Sequence, residues 1–358
     1  MLTEKKRITI LDGFRCIAII MVLLSHYTAT WTPPESTENY YPYEDSYTEV
    51  FLFKYGYLGV ELFFMISGFV IFMTLEKCSS IKEFLVKRFI RLFPLLLLAS
   101  IITFIFPKIF DTNNEFPVFH RPFVNFLPSL TFSDIWIWNT LLNKKIGYID
   151  GSYWSLVIEV KFYIFSALIY FFNKKKFIRN WLYFTLIILV AYIFIQKESI
   201  QKLINILFIA KYIVFFTLGV LFYDLFKTKN VKNIHIALVV IFLALQFSFL
   251  QTRIETGFIL SFIALFFLFI YKESWLSFLN FRLLNIIGLC SYPLYLIHQS
   301  IGVMMIGKLA KIFNLHDSSW VLIPIVILIM ITISYFIHIY LERRLSKNLS
   351  TLIFRKKD

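Results

Sequence analysis

Long apolar stretches recur along the whole chain and restrict what it can fold into. Ten of them have the length of about 17 to 25 residues that a helix needs to cross the hydrocarbon core of a bilayer. They fall roughly at 8–31, 54–76, 92–108, 153–173, 181–197, 202–226, 234–250, 255–271, 285–308 and 319–342. Because lipid offers the backbone no hydrogen-bond partners, such stretches are expected to be helices. The sequence therefore predicts an all-α polytopic membrane protein, with one membrane-embedded domain over 1–345 and a short basic tail over 346–358.

The formal net charge of +14 raises the question of a nucleic-acid partner. Most of the 36 Lys and Arg residues, however, fall in alternate loops, and the loops that collect basic residues are the cytoplasmic ones. This asymmetry predicts that both termini are cytoplasmic, and it accounts for most of the basic excess without nucleic acid. No spacing of His and Cys is typical of a metal site.

The first apolar stretch contains "DGFRCIAIIMVLLSHY", which carries Asp12, Arg15 and His26. Ionisable groups inside a bilayer are costly, and they indicate a functional site by default. In an α-helix Arg15 and His26 lie within about 20° of each other and about 16 Å apart along the axis. Asp12 falls within about 60° of Arg15. The three residues form a polar stripe, in which Arg15 is either a structural counter-ion of Asp12, a functional group, or both.

Further ionisable residues fall at matching depths in other stretches. With the predicted topology, Glu61, Glu159 and His298 all lie toward the outer end, where they converge with His26 if these helices are neighbours. Arg88 and Arg91 stand at the cytoplasmic start of the third stretch, three residues apart and thus on one helix face. Each of these residues also has a purely structural interpretation: the glutamates as carboxylates that pack between helices, the histidine as a core residue, and the arginines as basic residues that follow the positive-inside rule.

This polarity indicates chemistry at both ends of the bundle. Arginines suit a phosphate-bearing ligand because their forked donors match its oxygens. An imidazole near a carboxylate suits proton abstraction from a hydroxyl near neutral pH. The arrangement predicts a phosphorylated acyl donor that enters from the cytoplasm and reaches His26. The rival interpretation is a secondary transporter or flippase, in which the buried charges form a substrate or proton path.

Five motifs in order give the chain a resemblance to a known family. They are the Arg15-to-His26 pairing, "GVELFFMISGFVI", "KRFIRLFP", "WSLVIEVKFY" and "SYPLYLIHQSI". Over about residues 8 to 342 the chain resembles the acyltransferase-3 family of integral-membrane O-acyltransferases.

The resemblance implies a multi-pass enzyme of the bacterial cytoplasmic (inner) membrane. It would transfer an acyl group, most often acetyl, from cytoplasmic acyl-CoA to a hydroxyl of a cell-surface or lipid-linked glycan. Acetyl-CoA is then a co-substrate, and no permanently bound cofactor is expected; membrane lipid is the surrounding partner.

The same resemblance suggests roles for single residues. His26 is expected to be the general base, with Glu61 or Glu159 orienting its ring, while direct transfer and an acyl-histidine intermediate both remain open. The donor side is expected to be bound by Arg15, Arg88 and Arg91. The expected substrate-contacting or supporting residues are Asp12, Trp154, Tyr163 and His298.

Two features depart from the family pattern. Many relatives have a second acidic or amide residue followed by Gln after the position of Glu159, whereas this chain has Val160 and Lys161. A mechanism that needs a carboxylate pair there is therefore not expected. The sequence also predicts no fused extracytoplasmic hydrolase-like domain.

Overall fold

The computed structural model describes residues 8–29, 47, 50–195, 197–230, 252–315 and 319–354. These residues form helices and connecting loops, and no β-strand occurs among them. The α-helices are α1 (Thr9–Thr28), α2 (Phe51–Lys54), α3 (Gly59–Leu75), α4 (Ile81–Phe110), α5 (Phe126–Thr131), α6 (Ile135–Leu142), α7 (Trp154–Phe172), α8 (Phe177–Phe194), α9 (Glu198–Phe208), α10 (Ile213–Thr228), α11 (Arg253–Tyr271), α12 (Arg282–Leu289), α13 (Ser291–Phe313), α14 (Ser319–Phe336) and α15 (Arg343–Phe354). Short 3₁₀ segments occur at Gly56–Leu58, Pro117–Phe119, Phe123–Asn125, Gly151–Tyr153, Lys174–Lys176 and Glu273–Asn280, and a π-helical segment, Ile337–Glu342, joins α14 to α15.

Nine helical stretches of the described chain are long and apolar enough to cross a membrane. Each corresponds to one of the predicted spans, and the remaining predicted span, 234–250, lies outside the described residues. The prediction of an all-helical, multi-pass membrane protein is confirmed. Part of the predicted basic tail, residues 346–354, belongs to α15.

Helix α1 lies inside the bundle rather than at its edge. It packs against α3, α12 and α13, and Phe14, Ala18, Ile19 and Val22 have no exposed surface. An apolar helix surrounded by other helices holds its polar side chains away from lipid, which is where functional ionisable groups are found in membrane proteins. The position of α1 therefore makes its polar stripe available to neighbouring helices.

Helices α3 and α10 approach each other through two glycines. A Cβ atom added at Gly219 would lie 2.0 Å from the carbonyl oxygen of Met65, and one added at Gly68 would lie 2.1 Å from that of Phe216. Small residues let two membrane helices bring their backbones together, which replaces contact with lipid by close packing. This contact positions α3, one wall of the cavity described below.

Helix α4 begins at Ile81, whereas the predicted span begins at residue 92. Ser80 caps it by accepting from the backbone N–H of Glu83, and Glu83 in turn accepts from the backbone N–H of Ser79. Capping of this kind satisfies the free N–H groups of the first turn. As a result Arg88 and Arg91 lie on a regular helix.

Prolines in the spans are placed where the backbone tolerates them. Pro94, inside α4, has no N–H to offer the carbonyl of Ile90, and that carbonyl accepts from Ser346 of α15 at 3.4 Å. The predicted span 285–308 is divided between α12 and α13, and Pro293 lies in the first turn of α13, where a missing N–H costs nothing.

The long segment between α4 and α7 is attached to the bundle by ion pairs. Lys161 of α7 pairs with Asp134 before α6, so the unexpected lysine after Glu159 has a structural partner. Asp111 pairs with Lys308 at 3.2 Å and with His120 at 3.0 Å and accepts from the backbone N–H of Phe116. Burial raises the pKa of Asp111, but these hydrogen bonds outweigh it and hold the pKa below its usual value.

Candidate active site

Two histidines from different helices are in direct contact. Nδ1 of His26, near the end of α1, lies 3.1 Å from Nε2 of His298 on α13. Nδ1 of His298 lies 2.7 Å from the carbonyl oxygen of Tyr295. A carbonyl only accepts, so His298 carries its hydrogen on Nδ1 and presents a lone pair at Nε2. His26 then donates from Nδ1, and its own Nε2 is left as a basic nitrogen.

The contact between the two helices is held by Tyr27 and Gly302. The hydroxyl of the fully buried Tyr27 donates to the carbonyl oxygen of His298 at 2.9 Å. A Cβ atom at Gly302 would lie 2.0 Å from that hydroxyl, so only glycine leaves room for it. The sequence places these two residues 275 positions apart, and the fold makes them one contact.

The start of α7 supports His298 from the other side. Asp150 has no exposed surface, and it accepts from the backbone N–H and hydroxyl of Ser152 at 2.9 and 2.6 Å. Its second oxygen accepts from the backbone N–H of Ser300 at 3.0 Å. The hydroxyl of Tyr295 lies 2.8 Å from that of Ser155. Asp150 thus connects the 3₁₀ segment before α7 to the part of α13 that carries His298.

A cavity of about 100 Å³ lies next to this region, toward the N-terminal parts of α1 and α4. One end of it is lined by arginines and the other end by Ser155 and Tyr295. Its polar lining comprises Arg15, Ser67, Arg88, Arg91, Ser155, Glu159, Tyr163, Ser291, Tyr292 and Tyr295. The remaining walls are apolar, as is usual for a site that binds an organic ligand.

The arginines of the cavity differ in their surroundings. Arg15 lies 3.0 Å from Asp12, which is buried, so the predicted ion pair is present. Arg88 donates to the hydroxyl of Thr74 at 3.3 Å, while its buried Nε has no partner among the described residues. Arg91 is exposed at the mouth of the cavity. A buried guanidinium N–H without a partner is costly, and an anionic ligand would satisfy it.

The two glutamates occupy separate places. Glu159 lines the cavity and accepts from Tyr163 at 2.5 Å and from Ser67 at 2.8 Å. Glu61 is buried, and its Oε2 has no partner within the described part of the chain. It acts electrostatically on Tyr57 and Tyr295, and it is not a lining residue of the cavity. Neither glutamate is within hydrogen-bond distance of His26. Glu61 shares with Gly68 the face of α3 that packs on α10.

The remaining predicted residues also fall into two groups. Tyr163 and Arg15 line the cavity, whereas Trp154 packs with the ring of Tyr212 at 5.4 Å and is not part of the lining. His26 itself is not a lining residue either. Ile19 and Val22, which continue the stripe between Arg15 and His26, are fully buried, so no open channel follows α1.

Tyr295 separates the cavity from the histidine pair. Its ring lies 6.0 Å from that of Phe63 and 5.4 Å from that of His298, and the His26 ring lies 5.0 Å beyond. The cavity therefore ends one side chain short of the pair. A ligand group in the cavity reaches His26 only past Tyr295.

Sequence reasoning missed several polar groups of this region: Ser67, Asp150, Ser152, Ser155, Tyr292 and Tyr295. One signal was available, since "DGS" before an apolar run is typical of a helix start with a capping aspartate. The other residues look like ordinary tyrosines and serines of apolar helices. Only the packing of α3, α4, α7 and α13 makes them neighbours.

The arrangement combines anion binding with a base. Arginines at one end of the cavity can hold phosphate groups, and the basic Nε2 of His26 lies beyond its other end. Among the described residues no group of three or more His, Cys, Asp or Glu side chains has a geometry that could hold a metal ion.

Comparison with known proteins identifies the family. Residues 8–339 match the model of the acyltransferase-3 family, described as an acyltransferase domain. The chain is 29% identical over 234 residues to the O-acetyl transferase of Shigella phage Sf6, covering 64% of this chain and 66% of that protein. It is 25% identical over 175 residues to the peptidoglycan O-acetyltransferase OatA of Listeria monocytogenes, covering 45% of this chain and 24% of that protein.

These alignments span just under two thirds of the phage protein and about a quarter of the Listeria protein. No solved structure matches the chain. The family model, by contrast, extends from the start of α1 into the π-helical segment after α14, and so includes every helix that lines the cavity or carries a histidine of the pair. The chain therefore belongs to the acyltransferase-3 family of membrane acyltransferases.

Proposed function

We propose that this protein is an O-acetyltransferase that moves an acetyl group from cytoplasmic acetyl-CoA to a hydroxyl of a cell-surface or lipid-linked glycan. The observation that carries the proposal is the cavity with arginines at one end and the His26–His298 pair beyond the other. The family supplies the reaction class, and the two relatives named above are O-acetyltransferases by name.

The donor binds at the arginine end. Phosphate groups of acetyl-CoA lie against Arg91 at the mouth and against the unpartnered Nε of Arg88. The pantetheine arm follows the cavity between α3, α4 and α7, and not the α1 stripe, because Ile19 and Val22 close that route. The thioester then lies near Ser155 and Tyr295.

His26 acts as the general base from the opposite side of Tyr295. Its Nε2 takes the proton of the acceptor hydroxyl, whose oxygen attacks the thioester carbonyl carbon. The C–S bond breaks, and the CoA thiolate receives the proton from the imidazolium. His298, rather than a glutamate, orients the His26 ring through the 3.1 Å contact.

The direction of transfer follows from the predicted topology. With both termini cytoplasmic, the arginine end faces the cytoplasmic pool of acetyl-CoA, and His26 faces the outer surface of the inner membrane. A glycan or lipid-linked saccharide on that surface reaches His26 without crossing the bilayer.

Transfer from labelled acetyl-CoA tests the proposal. Membranes that contain wild-type protein should incorporate label into their glycan fraction, and His26→Gln should reduce the rate by about 10² to 10⁴-fold, the usual contribution of a general base. His120→Gln is the matched control, since His120 pairs with Asp111 outside the site.

Glycans from a deletion strain, examined by mass spectrometry, should lack an acetyl mass that the complemented strain restores. Undiminished transfer by His26→Gln at matched protein level would remove His26 from the chemistry. Absence of transfer by the wild-type protein with all acceptor fractions would contradict the assigned reaction.

A further inference from the structure

We propose that Asp150 is a positioning residue that acts through His298. The reaction places a positive charge on the histidine pair, His298 carries this charge, and the carboxylate of Asp150 stabilises it. The inference rests on the proposed function for its catalytic consequence. The coupling of the Asp150 carboxylate to the two imidazoles does not depend on the identity of the substrate.

The first argument is the burial of Asp150 and the nature of its partners. It has no exposed surface, and its three hydrogen bonds come from the N–H and O–H of Ser152 and the N–H of Ser300. All three partners are donors, which suits an ionised carboxylate that accepts only. No Lys or Arg of the described chain forms an ion pair with it. A buried negative charge without a cation is unusual unless a positive charge forms nearby.

The second argument is its position relative to His298. Ser300, which donates to Asp150, lies two residues beyond His298 on α13. Ser152, which also donates to Asp150, lies 3.2 Å from the carbonyl oxygen of Tyr295 that accepts from His298 Nδ1. Asp150 acts electrostatically on His298. The carboxylate is therefore connected to both sides of the residue that orients His26.

The third argument is where the proton goes. When Nε2 of His26 takes the acceptor proton, the hydrogen on its Nδ1 can move 3.1 Å to Nε2 of His298. His26 is then neutral with its hydrogen on Nε2, and His298 carries hydrogens on both nitrogens and a positive charge. A nearby carboxylate favours this cation. The proton returns by the same two steps when the CoA thiolate leaves.

Other ionisable groups around the pair are accounted for. Tyr27 of α1 donates to the His298 carbonyl, and Tyr295 of α13 is hydrogen-bonded to Ser155. Glu61 of α3 and Glu159 of α7 act electrostatically on Tyr295, but neither contacts an imidazole. Asp150 is therefore the carboxylate that the geometry connects to His298.

The test compares Asp150→Asn, His298→Gln and the control Asp111→Asn in purified full-length protein. Asp111 is a buried aspartate outside the site, paired with Lys308 and His120. The probe is diethyl pyrocarbonate, which acylates an imidazole only in its neutral form. Modification of the partly exposed His26 is followed against pH by mass spectrometry of its peptide.

We expect the pH of half-maximal modification of His26 to fall by about one unit in Asp150→Asn and to stay unchanged in Asp111→Asn. His298→Gln should change it as well, and adding Asp150→Asn to His298→Gln should change it little further. In the transfer assay Asp150→Asn should lower kcat by about 10- to 100-fold, as when other partners of functional imidazoles are changed, while the KM for acetyl-CoA stays within about twofold.

An unchanged modification profile in folded Asp150→Asn, as judged by its thermal midpoint, would overturn the proposal. If that variant does not fold, an unchanged profile in His298→Gln overturns it equally. A shifted profile together with no transfer by the wild-type protein would uphold the charge coupling and contradict the proposed function, so the two failures are distinguishable.

Discussion

At the scale of single residues, the arginines at the start of α4 both fit the positive-inside rule and line the cavity. Basic residues at the start of α4 are expected from the positive-inside rule alone. Arg88 and Arg91 nevertheless line the cavity, and Arg88 has a buried N–H without a partner in the described chain. Lysines and arginines elsewhere at the same end, such as Arg179, are exposed and lie outside the cavity lining.

This difference gives a prediction for Arg91. Replacing Arg91 with Gln removes a charged donor from the cavity mouth, and a charge-assisted hydrogen bond contributes about 1.5–3 kcal/mol. We expect the KM for acetyl-CoA to rise about tenfold, with kcat little changed, since exposure at the mouth weakens the contact. Arg179→Gln should leave both constants unaltered. Equal KM values for the two variants would mean that Arg91 serves topology only.

At the scale of elements, the helix contacts depend on a few places where only glycine fits. The α3–α10 contact at Gly68 and Gly219 sets the position of α3, which contributes Ser67 and Phe63 to the site. Gly257, by contrast, lies on α11 with no atom within 4 Å of an added Cβ. The same residue type is thus required at one position and incidental at another.

The two glycines make a matched pair for stability. Gly219→Ala places a methyl group against a backbone carbonyl that cannot rotate away, so we expect a loss of about 1–3 kcal/mol in the free energy of unfolding. Gly257→Ala should be neutral or slightly stabilising, because alanine favours helix more than glycine does. Thermal midpoints in detergent measure both changes. A midpoint for Gly219→Ala equal to that of wild type would show that α3 and α10 are farther apart than described.

At the scale of the whole molecule, function depends on which end of the bundle faces the cytoplasm. The arginine end of the cavity and the histidine pair lie at opposite ends of α1, about 16 Å apart along its axis. The proposed cytoplasmic donor reaches the cavity only if the arginine end is cytoplasmic. The distribution of basic residues predicts this orientation.

Cysteine labelling in intact cells checks the orientation. Cys16, Cys78 and Cys290 are buried, so they can be kept when new cysteines are introduced at the surface. Lys144, in the segment between α6 and α7, and Lys175, just after α7, are both exposed. A membrane-impermeant maleimide should label Lys144→Cys on intact cells and label Lys175→Cys only after the cells are opened. The reverse pattern would place the arginine end outside and exclude a cytoplasmic donor.

Much of the architecture follows from local sequence. Hydropathy and length predict the membrane helices, because an apolar stretch in lipid must satisfy its backbone within itself. Helical periodicity places Asp12, Arg15 and His26 on one stripe, and the Asp12–Arg15 pair forms because residues three apart on a helix are neighbours. The local pairing of His338 with Glu342, at 2.6 Å, follows from the same spacing.

Which side chains meet across helices depends on the tertiary structure. Periodicity does not state how each helix is rotated about its axis or which helices touch, so His298 and not a glutamate meets His26, and the cavity ends at Tyr295 instead of following α1. Asp150 became visible only because the start of α7 packs on α13. Local spacing is enough to predict the class of fold and the ionisable residues within the helices. The site depends on long-range packing, which local spacing does not contain.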